Sequence, residues 1–585
     1  MTVFARELPF GATLLAPDST RFRLWAPGQE KVGLELDGQG SIAMRRDADG
    51  WFEAVAPCGA GARYRFRLDG GLLVPDPASR AQSSDIHDPS VVVDPHAYRW
   101  RHGGWRGRPW HETVLYELHA GVLGGFAGVQ KRLPEIAALG VTAVELMPVN
   151  DFPGQRNWGY DGVLPFAPDA AYGTPDELKA LVDAAHGLGL MIFLDVVYNH
   201  FGPDGNYLGA YAPSFFRSDV HTPWGAAIDF RRHEVRRYFT ENAIYWLMEY
   251  RFDGLRFDAV HAIASPDWLD EMAGEVRAAV EPGRQVHLVL EHDGNAADHL
   301  RHGFDAQWND DAHHVLHVLL TGEADGYYAD YADRPAERLA RCLAEGFVYQ
   351  GEPSTYRKGE RRGAPSADLA PTAFVLFLQN HDQVGNRPFG DRLLERVDPQ
   401  AMEAAVALQL LCPQIPLIFM GEEGASRTPF LYFTDHHGEL AQAVREGRRR
   451  EFAGFEGFKS GERAETIPDP NDLRTFELSR PAIDDVARRA LYARLLALRA
   501  AHIAPHLAGV QSLGARANGP ACVTAQWRLG NGSVLALVCN LGREASDVEP
   551  LTGDLLFESR LGASQQVRGG RLDGMATVAF LQPGD

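Results

Sequence analysis

The chain has 585 residues, 45% of them hydrophobic and 23% charged, and a formal net charge of -21. Its length exceeds one ordinary domain, its composition is that of a globular protein, and its acidity excludes a nucleic-acid backbone or an anionic membrane as main partner. The start has no basic segment leading into an apolar core, and no apolar run is long enough to cross a bilayer. The five scattered cysteines form no CxxC pair, so a reduced, cytoplasmic protein is expected, with no zinc site and no disulfide frame.

Residues 1–100 read as an N-terminal β-sandwich. Arg21-Phe22-Arg23-Leu24-Trp25 and Tyr64-Arg65-Phe66-Arg67-Leu68 alternate polar and apolar residues between Gly and Pro breaks. A polar, Pro-rich stretch at 75–110 runs along the next domain. From 101 to 504 the pattern becomes strand then helix, repeated. Strands are expected at 114–119, 141–147, 191–195, 255–258, 286–291, 304–308, 374–379 and 416–420. Thr174-Pro175-Asp176-Glu177 opens a helix, with Thr as cap, Pro in the first turn and acids beside the positive helix end. Helical runs at 232–250 and 266–281 bracket the fourth strand, and one at 486–502 closes the series. Eight strands alternating with helices are the pattern of a (β/α)8 TIM barrel. An open doubly wound sheet is the alternative, and no Gly-rich phosphate loop follows the first strand to support it. The long connections 196–231 and 309–370 are expected to wall the mouth of the barrel. Short strands return from 505 to 585, as at 533–541, and read as a C-terminal β-sandwich.

Polar residues gather where these strands end, the reactive face of such a fold. In GLRFDAVHAI (254–263), Arg256 and Asp258 share one face of the fourth strand. A cation so close holds a carboxylate ionised, as a nucleophile requires, although a structural ion pair would look the same. The third strand brings Asp195, then Asn199 and His200. The fifth ends at Glu291 behind an apolar run whose burial would raise its pKa, as a general acid needs. The seventh leads into Asn380, His381 and Asp382. Three acids, two histidines and an arginine on one rim must offset mutual repulsion, so a structural role explains them poorly. The set fits glycoside hydrolysis: Asp258 attacks, Glu291 donates a proton, and Asp382 braces the developing charge. Retention would need the first two about 5–5.5 Å apart.

DVVYNH (195–200), GLRFDAVHAI, the strand ending at Glu291 and LQNHDQVGN (378–386), in that order, resemble the four signature regions of the α-amylase family of glycoside hydrolases. The resemblance implies a retaining mechanism on α-glucosidic bonds. It makes Asp258 the nucleophile, Glu291 the acid/base and Asp382 the transition-state stabiliser. It places His200, Arg256 and His381 around the attacked glucose. Tyr160, in NWGYDG (157–162), would stack on that sugar, an aromatic face covering the apolar face of a pyranose.

YELHAG (116–121), VELMPV (144–149), WNDDAHH (308–314), MGEE (420–423), TPFLYFTDH (428–436) and IPDPND (467–472) resemble the trehalohydrolase branch of that family. This implies cleavage of the α-1,4 bond next to the terminal trehalose of maltooligosyltrehalose, in partnership with the synthase that makes that end. No cofactor and no required metal are expected. The loop after the third strand has no dense acid cluster beside Asn199, and the adjacent His313 and His314 would not share a helix face. His261 and Asp293 are candidates for contacts to the leaving sugars or for structural polar residues. Trp224 and Trp308 are candidate stacking platforms, with Trp308 better suited to the core. Gly424, Arg427 and Gly294 depart from the branch's pattern and are expected near the product side. A glycogen branching or debranching enzyme is an alternative that TPFLYFTDH argues against. A non-catalytic α-glucan-binding protein is another, and such a protein would be expected to lack one of the three acids.

Overall fold

The computed structural model describes residues 2–452 and 464–584. Eight parallel strands close on themselves: β1 (Leu115–Leu118), β2 (Ala143–Leu146), β3 (Met191–Val196), β4 (Gly254–Phe257), β5 (His287–Leu290), β6 (Ala306–Trp308), β7 (Phe374–Leu376) and β8 (Ile415–Phe419). β8 pairs back to β1 through Leu115 with Leu417 and Tyr116 with Ile418, which excludes the open sheet. Each strand lies within a segment expected from the sequence, overrunning it by at most one residue. Several are shorter than expected, because the chain leaves the ladder for the loops of the mouth.

The apolar runs reflect burial on both faces. Met191, Phe193, Val289, Trp308, Val375 and Leu417 meet inside the barrel and form a core of their own. Gly254 opens β4 because nothing larger fits there: a Cβ would come within 2.1 Å of the Phe193 ring. Outside lie α1 (Gly125–Leu139), α2 (Pro175–Gly187), α3 (His233–Met248), α4 (Asp267–Ala279), α5 (Asp310–Thr321), α6 (Pro335–Glu345), α7 (Pro399–Leu411) and α8 (Val486–His502). α2 starts as its sequence dictates. Thr174 accepts from the Glu177 N–H, and Glu177 accepts in return from the Thr174 N–H, a closed capping box.

The N-terminal domain is a sandwich of two antiparallel sheets. One has the order Gly11–Ala16, Ser19–Trp25, Trp51–Ala56, Arg45–Arg46. The other runs Gly40–Ala43, Val32–Leu36, Arg63–Leu68, Leu73–Val74, with Ser90–Val91 also paired to Arg63–Leu68. Phe22 and Leu24 alternate inward from partly buried neighbours, as their pattern predicts. The sandwich docks on α3 through Arg6 to Glu241 (2.6 Å), Arg80 to Glu249 (2.9 Å) and the Tyr238 hydroxyl donating to the Pro77 carbonyl (2.6 Å). The C-terminal domain is a five-stranded antiparallel sheet in the order Gln511–Gly519, Cys522–Arg528, Val534–Asn540, Ala576–Gln582, Asp554–Glu558. A two-stranded sheet (Ser546–Asp547 with Arg571–Leu572) accompanies it. It seats on α6 and α7, with Trp527 Nε1 donating to the Leu343 carbonyl (3.1 Å) and Thr577 Oγ1 to the Ala404 carbonyl (2.8 Å).

The long connections carry structure that the sequence does not announce. An antiparallel pair, Asn150–Asp151 with Leu164–Pro168, brackets Tyr160. A hairpin, Phe216–Thr222 with Gly225–Ile228, carries Trp224. Residues 309–370 hold α5, α6 and the small pair Glu352–Pro353 with Arg361–Arg362. The five cysteines are free and buried. No helix among the described residues is long and apolar enough to cross a membrane.

Gly254→Ala forces the Phe193 ring out of the interior layer. It should destabilise the fold by about 1–3 kcal/mol, as overpacking does. A lower chemical-denaturation midpoint with unchanged slope is the expected reading.

Candidate active site

The register of three neighbouring strands assembles the centre. β3 pairs with β4 so that Asp195 lies beside Arg256, and β4 pairs with β5 so that Phe257 lies beside Leu290. Asp258 and Glu291 therefore follow on adjacent strand ends. Their N–H groups donate to Val196 O and Phe257 O, both at 3.0 Å, which extends each ladder by one step. The Arg256 side chain is fully buried. Its Nη1 donates to Asp195 Oδ2 (2.6 Å) and Asp258 Oδ1 (2.9 Å), and its Nη2 lies 2.8 Å from Glu291 Oε2. The guanidinium rests 4.2 Å above the Trp308 ring, a cation on an aromatic face. Ala259 takes a left-handed conformation (φ 40°), and its N–H donates to Glu291 Oε2 (2.8 Å). That strained turn ties the segment after β4 to the one after β5.

Asp382 arrives differently. Beyond β7 the chain opens a short helix, His381–Gly385, capped by Asn380, whose side chain accepts from the Asp382 N–H (2.9 Å). Asn386 Nδ2 donates to Asp382 Oδ1 (3.1 Å), and His381 Nε2 lies 3.4 Å from the same oxygen. His381 Nδ1 bonds the Glu117 carboxylate, and its ring stacks on Tyr160 at 5.1 Å. The Tyr160 hydroxyl donates to Asp195 Oδ2 (2.6 Å), and its carbonyl meets His200 Nε2 (2.9 Å). His200 in turn stacks on the half-exposed Trp224 at 4.7 Å. Tyr160, His200, Arg256 and His381 thus form one connected ring with the three acids.

The rim residues are less free. His261 is exposed, and its Nδ1 accepts only a long contact (3.4 Å) from the Asp293 N–H. The Asp293 carboxylate is engaged by Arg357 and lies 3.8 Å from Arg362 Nη2, which favours its structural reading. Trp308 is buried under Arg256 rather than open to a sugar. Gly424 also departs from expectation. A Cβ there would meet Ile483 at 2.2 Å, and Arg427 lines a groove with Glu403 and Asp484 that includes none of the three acids. Gly294 does sit on the Glu291 segment, where a Cβ would press on His292 at 2.8 Å.

The charges run opposite to the expectation from sequence. Burial pushes the Asp258 carboxyl well up, more than Arg256 draws it down, and the neighbouring acids add to the rise. Burial acts on Glu291 too, but Arg256 and the Ala259 N–H outweigh it and hold the group below the usual carboxylate range. The sequence suggests Arg256 as a private partner of Asp258; the fold shares it among three acids. Such groups titrate as a unit. Beneath them Glu145 is pushed well up by burial, then by Glu117 and Asp195, and neither of its oxygens has a hydrogen-bond partner. His381 goes the other way: burial opposes its charge, but Asp382 and Glu117 outweigh it and raise the group to about 9.

Comparison with known proteins places this arrangement. Residues 81–214 match the family model of the alpha amylase catalytic domain, and residues 9–96 match carbohydrate-binding module 48, the isoamylase N-terminal domain. Residues 511–578 match a domain of unknown function, DUF3459. The malto-oligosyltrehalose trehalohydrolase of Deinococcus radiodurans is 43% identical over 480 residues, 81% of this chain and 77% of that protein. The one of Saccharolobus solfataricus is 41% identical over 453 residues, 75% and 79%. The chain belongs to the malto-oligosyltrehalose trehalohydrolase family. It is therefore a glycoside hydrolase. A crystal structure from Salmonella typhimurium, described in terms of an alpha amylase, shares 43% identity and a TM-score of 0.92 over 99% of this chain and 100% of that one. A pullulanase of Paenibacillus barengoltzii, at 20% identity and a TM-score of 0.70, shares the fold.

Against this trehalohydrolase frame, four residues stand out that sequence reading left without a role. Glu117, on β1, holds His381 from beyond the intervening β8, and only its place in YELH hinted at it. Asp310 is half-buried, and its carboxyl is pushed well up by burial and then by Glu291. Tyr327 and Tyr356 are large exposed aromatics, edge to face at 6.4 Å, on the wall built by 309–370.

Because His381 is raised above its ordinary value near 6.5, its charge stabilises the fold fully below about that pH, and this contribution fades as pH rises through about 9. Glu117→Gln removes one of the two carboxylates responsible. The His381 ring titration followed by NMR should move down, and the loss of stability between pH 7 and 9 should flatten.

Proposed function

We propose that this protein hydrolyses the α-1,4-glucosidic bond beside the terminal trehalose of maltooligosyltrehalose, releasing trehalose with retention at the cleaved centre. The observation that carries the reading is the set Asp258, Glu291 and Asp382 around Arg256 in a chain of this family. Asp258 attacks the anomeric carbon while Glu291 protonates the departing oxygen. Glu291 then takes a proton from the water that hydrolyses the glycosyl ester. Asp382 balances the positive charge that develops on the ring. Tyr160 stacks on the attacked glucose, and His200 and His381 flank it. Tyr327 and Tyr356 offer aromatic faces to the leaving sugars, where His261 and Asp293 also lie.

The sugar-free charge pattern gives this mechanism a proton step. Glu291 must hold the proton and Asp258 must be ionised before attack. A glycosidic oxygen against Glu291 competes with the Arg256 Nη2 contact and favours the protonated form there. Arg256 Nη1 stays on Asp258. The acids titrate as a unit, so these contacts together set which of them carries the proton.

The substrate implies a partner reaction, a synthase that isomerises the reducing end of a maltooligosaccharide into trehalose. Five free, buried cysteines favour a cytoplasmic setting. A glucan-branching reading has weaker support, because the branching enzyme of Ralstonia nicotianae aligns with only 42% of this chain, at 33% identity.

Chromatography of products from maltotriosyltrehalose and from maltopentaose tests the reading. Rapid trehalose release from the first, with slow cleavage of the second, is expected; equal attack on both would overturn it. Asp258→Asn should lower kcat by on the order of 10⁴-fold or more, with the fold intact. NMR of the fresh product should show the α-anomer first, and a β-anomer would refute retention.

A further inference from the structure

The segment after β5 carries Glu291 at its start and Asp293 two residues on, and something must hold it in place. The hub is Asp311, in the first turn of α5 and fully buried. Its Oδ2 accepts from Asn295 Nδ2 (2.7 Å), from the Val348 N–H (2.8 Å) and from the Tyr349 N–H (3.0 Å). Its Oδ1 accepts from Arg362 Nη1 (2.6 Å) and from the Tyr331 hydroxyl. Both oxygens are therefore saturated by donors from four separate segments. Arg362, also buried, reaches on from this hub: its Nε donates to the Asp293 carbonyl (2.7 Å). Arg357 grips the same residue, donating to its carbonyl (3.3 Å) and pairing with its carboxylate.

Asn295 is the point at which the segment is fastened to its surroundings. It is buried and left-handed (φ 53°), and it is fastened at both ends. Its Nδ2 donates to Asp311 and to the Tyr349 carbonyl (3.2 Å), and its own carbonyl accepts from the Ala364 N–H (3.3 Å). Asparagine adopts that conformation more readily than most residues, and these contacts fix it there.

We propose that Asp311 and Arg362 form a latch that sets the position of residues 292–295 and, through them, the strength with which the site binds the leaving sugars. They are positioning residues: neither faces the three acids, and each acts through Asp293 and Asn295. The latch rests on the functional reading above, since it concerns the trehalose side of the cleaved bond. Glu291 itself is held separately by the Ala259 N–H and Arg256. Releasing the latch therefore loosens recognition of the leaving group more than it disturbs the acid/base.

The test compares two substrates in the full-length protein. Maltotriosyltrehalose needs the leaving-sugar contacts. α-Maltotriosyl fluoride has a leaving group that needs neither those contacts nor a proton. In Asp311→Asn and in Arg362→Met, kcat/KM on maltotriosyltrehalose should fall about tenfold or more, mainly through KM, as loss of a charged hydrogen bond predicts. Turnover of the fluoride should stay within about twofold, because the transition-state groups are untouched. Arg362→Lys, which keeps the charge but loses the fork, should fall between wild type and Arg362→Met. Equal losses on both substrates, or no loss on either, would overturn the latch. If Asp311→Asn does not fold, the two Arg362 variants decide alone. If the wild type shows no preference for maltotriosyltrehalose over maltopentaose, the functional reading fails, a result distinct from variants that keep a wild-type preference.

Discussion

A buried positive charge with too few partners is among the costliest things a fold can contain, and Arg256 is buried at the centre of this one. Its guanidinium is out of water, so it needs carboxylates close by. Asp195, Asp258 and Glu291 supply them, one from the end of each of three neighbouring strands, and the Trp308 ring supplies a floor. The planar fork explains why the residue is arginine: Nη1 serves two acids and Nη2 the third. A single ammonium could not hold that spread. The geometry of the barrel mouth depends on this arrangement, because one cation holds the ends of three strands together.

Much of the architecture is legible in the residue pattern, for physical reasons. Strands covered on both faces leave continuous apolar runs such as MIFL in β3, and Thr174-Pro175-Asp176-Glu177 can hardly be anything but a helix start. The pair Asn150–Asp151 with Leu164–Pro168 left no trace, because strands so short carry no period. At the site, Arg256 and Asp258 could be matched because two residues apart on a strand share a face. His381 and Glu117 lie 264 positions apart, and no spacing rule connects them. The charge pattern of the sugar-free site differs from the sequence expectation for a related reason. Neighbours in sequence suggest one cation for one acid, whereas the β4–β5 register brings Glu291 to the same guanidinium. Gly424 looked like a gap in the site and proved to be a seat for Ile483.

The flanking domains are joined to the barrel at different depths. The N-terminal sandwich rests on α3, which also packs against the strand that bears Arg256. The C-terminal sheet rests on α6 and α7. Trp527 caps the Leu343 carbonyl near the end of α6, and a few residues later the chain delivers the Val348 and Tyr349 N–H groups to Asp311. Hydrogen bonds joined by a short stretch of chain thus connect the C-terminal domain to the wall beside Glu291. The C-terminal sheet is in this sense part of the scaffold of the barrel mouth.

The closure of the barrel has a consequence in time. β1 cannot complete its pairing until β8 exists, and residues 115 and 417 must meet across some three hundred positions. Contacts so distant along the chain form late. The acids at 258, 291 and 382 are all synthesised before β8, yet the cylinder that orients them closes only after it has emerged from the ribosome. Nascent chains carry all three acids but no closed barrel to bring them together, so the site is assembled in one late step.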